Sequence, residues 1–160
     1  MTTKPFKLLV TINGPGEVSN LLKPLCYRIA KEFSFIEIYV HLVYCQFASG
    51  YEYENAQKLP HVNQVFTAKT TLLQALGLKA LSPVSQGAVL FLGGDPWYAK
   101  CLAKRAKVSA YAYAERDLGK GFKQVFIRNK LADLMSELPL LIPALDAKES
   151  LKKHKSSRNP

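Results

Sequence analysis

Lys7-Leu8-Leu9-Val10-Thr11-Ile12, followed by Asn13-Gly14-Pro15-Gly16-Glu17, decides the fold. The first six residues are short, apolar and β-branched, as in a strand buried on both faces. The next five make a glycine-rich turn that feeds a helix. Beyond them the apolar residues Val18, Leu21, Leu22, Leu25, Cys26, Ile29, Ala30 and Phe33 are spaced alternately by three and four, which is one face of a helix. Pro24 lies inside that helix and is expected to kink or loosen it.

Strands and helices alternate along the rest of the chain, with no convincing internal repeat. A second strand is predicted over Phe35–Val43, where Glu37, Tyr39 and His41 alternate with apolar neighbours, then a loop over Tyr44–Gly50 and a short helix over Tyr51–Leu59. Val62–Phe66 reads as the third strand and Thr70–Leu78 as a helix. Ala88–Leu92 is the most apolar strand, bounded by Gly87 and by Gly93-Gly94. Asp95-Pro96 is a helix start, because Asp caps well and Pro suits the first helical position. That helix runs to about Lys107, with Tyr98, Cys101 and Leu102 expected to face inward. Val108–Ala114 and Phe122–Ile127 are further strands, Lys130–Leu138 a helix and Leu140–Ile142 a short last strand. Strands alternating with helices imply right-handed crossovers and a mainly parallel sheet. The predicted fold class is therefore α/β: a Rossmann-like, doubly wound sheet with helices on both faces.

Composition agrees with a single domain. The chain has 160 residues, 48% of them hydrophobic, enough for a sizeable core. Residues 1–146 are read as the domain. Residues 147–160 hold five Lys or Arg against one Glu and have no apolar period, so they read as a basic, disordered tail. The net charge of +10 divides into +4 there and +6 in the domain, where 17 Lys or Arg face 11 Asp or Glu. The tail's Lys152, Lys153, Lys155 and Arg158 could weakly attract an anionic membrane surface. No aromatic-basic motif or recognition helix is evident, which argues against nucleic acid as a partner.

Cys26, Cys45 and Cys101 are widely spaced with no CxxC pair, and His41, His61 and His154 form no cluster. Neither a disulfide framework nor a metal site is expected. The sequence shows no signal peptide and no span of about 20 apolar residues, which points to the cytoplasm. No cofactor is expected either. The glycine-rich turn lacks the third glycine of a dinucleotide fingerprint, and there is no GK[ST] of a Walker loop.

In a doubly wound sheet the ligand crevice lies beyond the strands' carboxyl ends, where strand order reverses. The usual order puts the first and fourth strands there. The turns that follow them, Asn13–Glu17 and Gly93–Pro96, are the two most glycine-rich in the chain. Gly14, Gly16, Gly93 and Gly94 would let a ligand approach the backbone. Each turn also carries a carboxylate, Glu17 and Asp95, which would repel a phosphate but accept hydrogen bonds from sugar hydroxyls. Glu17 is the candidate catalytic group, as a base. Asn13, Gly14, Gly16, Gly93, Gly94, Asp95 and Glu115 are the candidate binding residues. Asp95 could equally serve only as a helix cap, and Glu115-Arg116-Asp117 could be a solvated turn. Ser49 and Gly50 could reach the same crevice, Trp97 or Tyr98 could stack on a sugar face, and Cys45 reads as an inert thiol.

The stretches TINGPGEVSNLLKPL, CQFASGYE and VLFLGGDPWYAKCLAKR, within residues 5–130, resemble the N-terminal half of two-domain glycosyltransferases of the lipid-A-disaccharide synthase type. The resemblance implies that this half holds the acceptor, with Gly14, Gly16 and Glu17 in its first turn and Gly93, Gly94 and Asp95 after its fourth strand. It also implies a nucleotide-sugar donor bound by a second half, which these 160 residues have no room for. The expectation is an acceptor-binding half with a sugar or glycolipid-like ligand, inactive without a donor-binding domain or a separate donor-binding subunit. The chain would then be a fragment, a half-enzyme or a domain kept for binding. The alternative is a non-catalytic α/β ligand-binding or regulatory module.

Overall fold

The computed structural model describes residues 4–46 and 48–127. The expected helix Lys130–Leu138, the strand Leu140–Ile142 and the basic tail lie outside the described residues. Six strands form one sheet: β1 (Phe6–Ile12), β2 (Ile36–Leu42), β3 (Val62–Phe66), β4 (Gly87–Phe91), β5 (Ser109–Ala114) and β6 (Gln124–Ile127). All neighbours pair in parallel, in the order β3-β2-β1-β4-β5-β6. This is the doubly wound Rossmann-like order, and it sets β1 beside β4 at the reversal point.

Residue alternation divides the core between the two faces of the sheet. Leu8, Val10, Ile12, Ile38, Val40, Leu90, Tyr111 and Tyr113 pack on one side with Leu22, Leu25, Cys26 and Ile29. Leu9, Val89, Phe91, Ala110 and Ala112 pack on the other with Ala99, Leu102 and Ala103. Burial pushes the pKa of the Cys26 thiol up to about 12, so Cys26 is an inert core residue.

The first helical segment differs from a plain helix in the way Pro24 requires. One turn, α1 (Pro15–Glu17), leads into a π turn over Val18–Leu22 and then α2 (Lys23–Glu32). Pro24 has no N–H to donate four residues back, and the backbone widens just before it, with Lys23 N–H reaching Val18 O. The next helix is α3 (Glu52–Gln57). After β3, α4 (Ala68–Ala75) starts two residues earlier than the apolar pattern predicts. The Thr67 side chain accepts from Thr70 N–H at 3.3 Å and fixes the start there. Gly77, at φ +76, follows its end.

The last helix, α5 (Pro96–Ala106), corrects the expected inward face. Ala99, Leu102 and Ala103 are buried, whereas Tyr98 and Cys101 are only half-buried. Ala99 and Ala103 share a cluster with Ala110, Ala112 and Ala114 of β5, so small side chains let this helix lie close to the sheet. No helix joins β5 to β6. The connection packs Leu118 and Phe122 against the same cluster, and β6 begins two residues later than expected.

Candidate functional site

The end of β1 anchors three neighbouring segments. Thr11 O accepts from Leu92 N–H at 3.0 Å and from Gly93 N–H at 3.2 Å, while Ile12 O accepts from Val43 N–H at 3.0 Å. The turns after β1 and β4 are therefore side by side at the C-terminal edge of the sheet, together with the chain leaving β2. Their closeness demands glycine. A Cβ on Gly93 would overlap the Glu17 carboxylate, and one on Gly94 would overlap a Val43 methyl. Gly94 also sits at φ +87, a conformation that other residues adopt only with strain.

Glu17 turns back on its own loop. Its Oε2 accepts from Asn13 N–H at 3.1 Å and from Gly14 N–H at 3.2 Å, in the manner of a capping box. The two consecutive amides that could hold an anionic ligand are thus occupied by a carboxylate of the chain itself. Both bonds fall on Oε2, which leaves Oε1 as the oxygen the amides do not hold.

Beside Glu17 an open concavity of about 210 Å³ runs along the ends of β4 and β5. Gly93 and Gly94 form one wall, Tyr113, Glu115 and Arg116 the other, and Glu17 closes one side. Of the candidate binding residues, Gly93, Gly94 and Glu115 line this cleft with Glu17. Asn13, Gly14, Gly16 and Asp95 do not. Asn13 and Gly14 support Glu17 from behind, and Gly16 has no atom within 4 Å of where a Cβ would stand. Arg116 and Tyr113 are additions that the sequence singled out only as part of a turn and a strand. Asp117, from the same turn, accepts from Gly119 N–H at 2.9 Å and serves the loop.

Asp95 caps α5, accepting from Trp97 N–H at 2.8 Å. Asp95→Asn retains that bond, whereas Asp95→Ala should lose about 1 kcal/mol of stability. Thermal unfolding of the pair checks this, and equal losses in both variants would contradict the capping role.

A second loop carboxylate went unnoticed in the sequence. Glu52 is buried, and accepts from Ser49 N–H at 2.7 Å, Ser49 Oγ at 3.1 Å and Gly50 N–H at 2.9 Å. Burial pushes its pKa up, but these bonds and its own backbone amide outweigh that and hold the carboxyl below its usual value. Ser49 and Gly50 are thereby committed to closing the loop after β2. The only sequence signal was a Ser-Gly pair two residues before a Glu, too common to stand out.

Among the described residues no group of three His, Cys, Asp or Glu could hold a metal ion, and no helix is long and apolar enough to cross a membrane. Comparison with protein-family models, curated proteins and solved structures finds no match for this chain.

Proposed function

We propose that this chain is the acceptor-binding half of a glycosyltransferase-like protein, taking a sugar or glycolipid-like ligand in the cleft between Gly93-Gly94 and Glu115. The observation that carries this reading is the Glu17 carboxylate seated on the Asn13 and Gly14 amides. In a Rossmann-like fold that position suits a phosphate. Here it already holds a negative charge, with a second carboxylate, Glu115, in the same cleft. Such a cleft disfavours a nucleotide's phosphates and offers acceptors to hydroxyl groups. Arg116 adds a donor. The donor sugar and the second half of the reaction would come from another domain or subunit, and Glu17 Oε1, the oxygen that the amides do not hold, would act as base.

The non-catalytic binding module remains the second reading, and one observation favours it. Both amide hydrogen bonds on Glu17 Oε2 close the turn after β1, a structural task that needs no catalysis.

Isothermal titration with glucose, N-acetylglucosamine and uridine diphosphate tests the ligand class. Saccharide binding without diphosphate binding is expected. Glu17→Gln, which keeps a capping-box side chain, should weaken saccharide binding roughly ten- to a hundredfold, as for a lost bond to a charged acceptor. Tight diphosphate binding with no saccharide binding would overturn the proposal.

A further inference from the structure

The Gly93-Gly94 turn, with Gly93 buried against the Glu17 carboxylate and Gly94 half-buried against Val43, has the cleft on its β5 side. On its β2 side the chain carries a group of aromatic rings. Val43 packs against Gly94, and the next residue, Tyr44, is 59% exposed. Trp97, three residues beyond Gly94 in the first turn of α5, is 40% exposed. The rings of Trp97 and Tyr98 meet edge to face, with centroids 5.1 Å apart and planes at 79°. In that arrangement both faces of one ring stay uncovered by the other.

The group is also held in place. Asp95 fixes the first turn of α5 through the Trp97 amide. Burial raises the pKa of the Tyr98 hydroxyl, and the Asp95 carboxylate and the Tyr44 hydroxyl, both close by, raise it further. The Tyr44 hydroxyl and the Asp95 carboxylate are near enough to the Tyr98 hydroxyl to interact electrostatically, and so add polar groups beside the rings. Flat apolar faces edged by hydroxyl and carboxylate groups match a pyranose, which has an apolar C–H face and polar equatorial groups.

The geometry points to Trp97, Tyr98 and Tyr44 as a second saccharide subsite, continuous with the cleft across Gly93-Gly94, so that the ligand is an oligosaccharide of at least two rings. This rests on the saccharide reading of the cleft. One ring lies in the cleft against Glu17 and Glu115, the linkage passes over the half-buried Gly94, and the next ring stacks on the aromatic group.

Trp97 is the only tryptophan in the chain, so its emission reports on this subsite alone. The probes are glucose, maltose, N-acetylglucosamine and its β-1,4-linked disaccharide, followed by fluorescence and by calorimetry. The disaccharide of the preferred sugar should bind about tenfold more tightly than the monosaccharide and shift or quench Trp97 emission. Tyr44→Ala, which keeps the reporter, and Trp97→Ala, followed by calorimetry, should each erase about two- to tenfold of that advantage and leave monosaccharide affinity unchanged. Circular dichroism confirms that both variants fold. Equal affinity for one and two rings, or a disaccharide advantage that survives both substitutions, would overturn the subsite while leaving the cleft reading in place. Failure of every saccharide to bind the wild type would overturn the cleft reading, and the subsite with it.

Discussion

As the pH falls from 6.5 toward 3, His41 should draw down the stability of the folded chain by roughly 1.4 kcal/mol per pH unit. His41 lies on β2 between Thr11 of β1 and Phe66 of β3 and has no exposed surface. Its ring stacks on Phe66 at 4.5 Å. Burial pushes its pKa down to about 3, against a smaller opposing effect of Gln74, whose side chain lies beside the ring. Among the described residues neither ring nitrogen has a hydrogen-bond partner of good geometry, and Thr11 Oγ1, Thr71 Oγ1 and Gln74 Oε1 are likewise buried without one. Between the two pKa values the unfolded chain binds a proton that the folded chain refuses. His41 is therefore harmless above pH 6.5, increasingly destabilising below it, and without further effect below about 3. His41→Phe keeps the stack, can grow into a small cavity shared with Phe66 and Leu81, and removes two unpaired polar atoms. It should be about 1–2 kcal/mol more stable than the wild type at pH 7 and lack this acid dependence. Urea unfolding of both proteins at a series of pH values measures the difference. Parallel pH profiles would contradict it.

The second large effect is expected at Gly87, the first residue of β4, paired with Lys7 of β1. A Cβ there would overlap the Lys7 carbonyl oxygen and stand 2.7 Å from a Val84 methyl. The obstacle is backbone in the two central strands, which cannot move aside as a side-chain tip can. Gly87→Ala should destabilise by about 3 kcal/mol, at the upper end of overpacking costs. Gly16 provides the contrast. It lies within α1 with nothing within 4 Å, so Gly16→Ala should stabilise by about 0.4–1 kcal/mol by restricting the unfolded chain. Denaturant midpoints of opposite sign are the expected result, and two destabilised variants would contradict this reading of Gly16.

These residues also mark how far the sequence could be read. The sheet was legible because β1 and β4 are mostly apolar runs followed by glycine turns, and the reversal point followed from their order. His41 was not. In the sequence it alternates with apolar residues as though on an open face, but β2 is covered on both sides, so the polar positions of its pattern are buried or half-buried too. The start of α4 depended on the Thr67 side chain accepting the Thr70 N–H, and the face of α5 on how closely alanines let it approach; apolar periodicity reports neither. At the site, the adjacency of the two turns was readable from topology. Which way the Glu17 carboxylate points was not, because that depends on the backbone geometry of Asn13 and Gly14. Glu52 was hidden for the same reason.

The central claim is that a saccharide is held at the C-terminal edge of the sheet, between the turn after β4 and the end of β5. The most direct test is a ¹H–¹⁵N correlation spectrum of the chain titrated with the saccharide that binds best by calorimetry. Shifts should concentrate on the amides of Gly93, Gly94, Glu115 and Arg116, with Asn13 and Gly14 following as their bonds to Glu17 adjust. Shifts confined to the edge strand β3 or to the N-terminal ends of the strands would contradict the account.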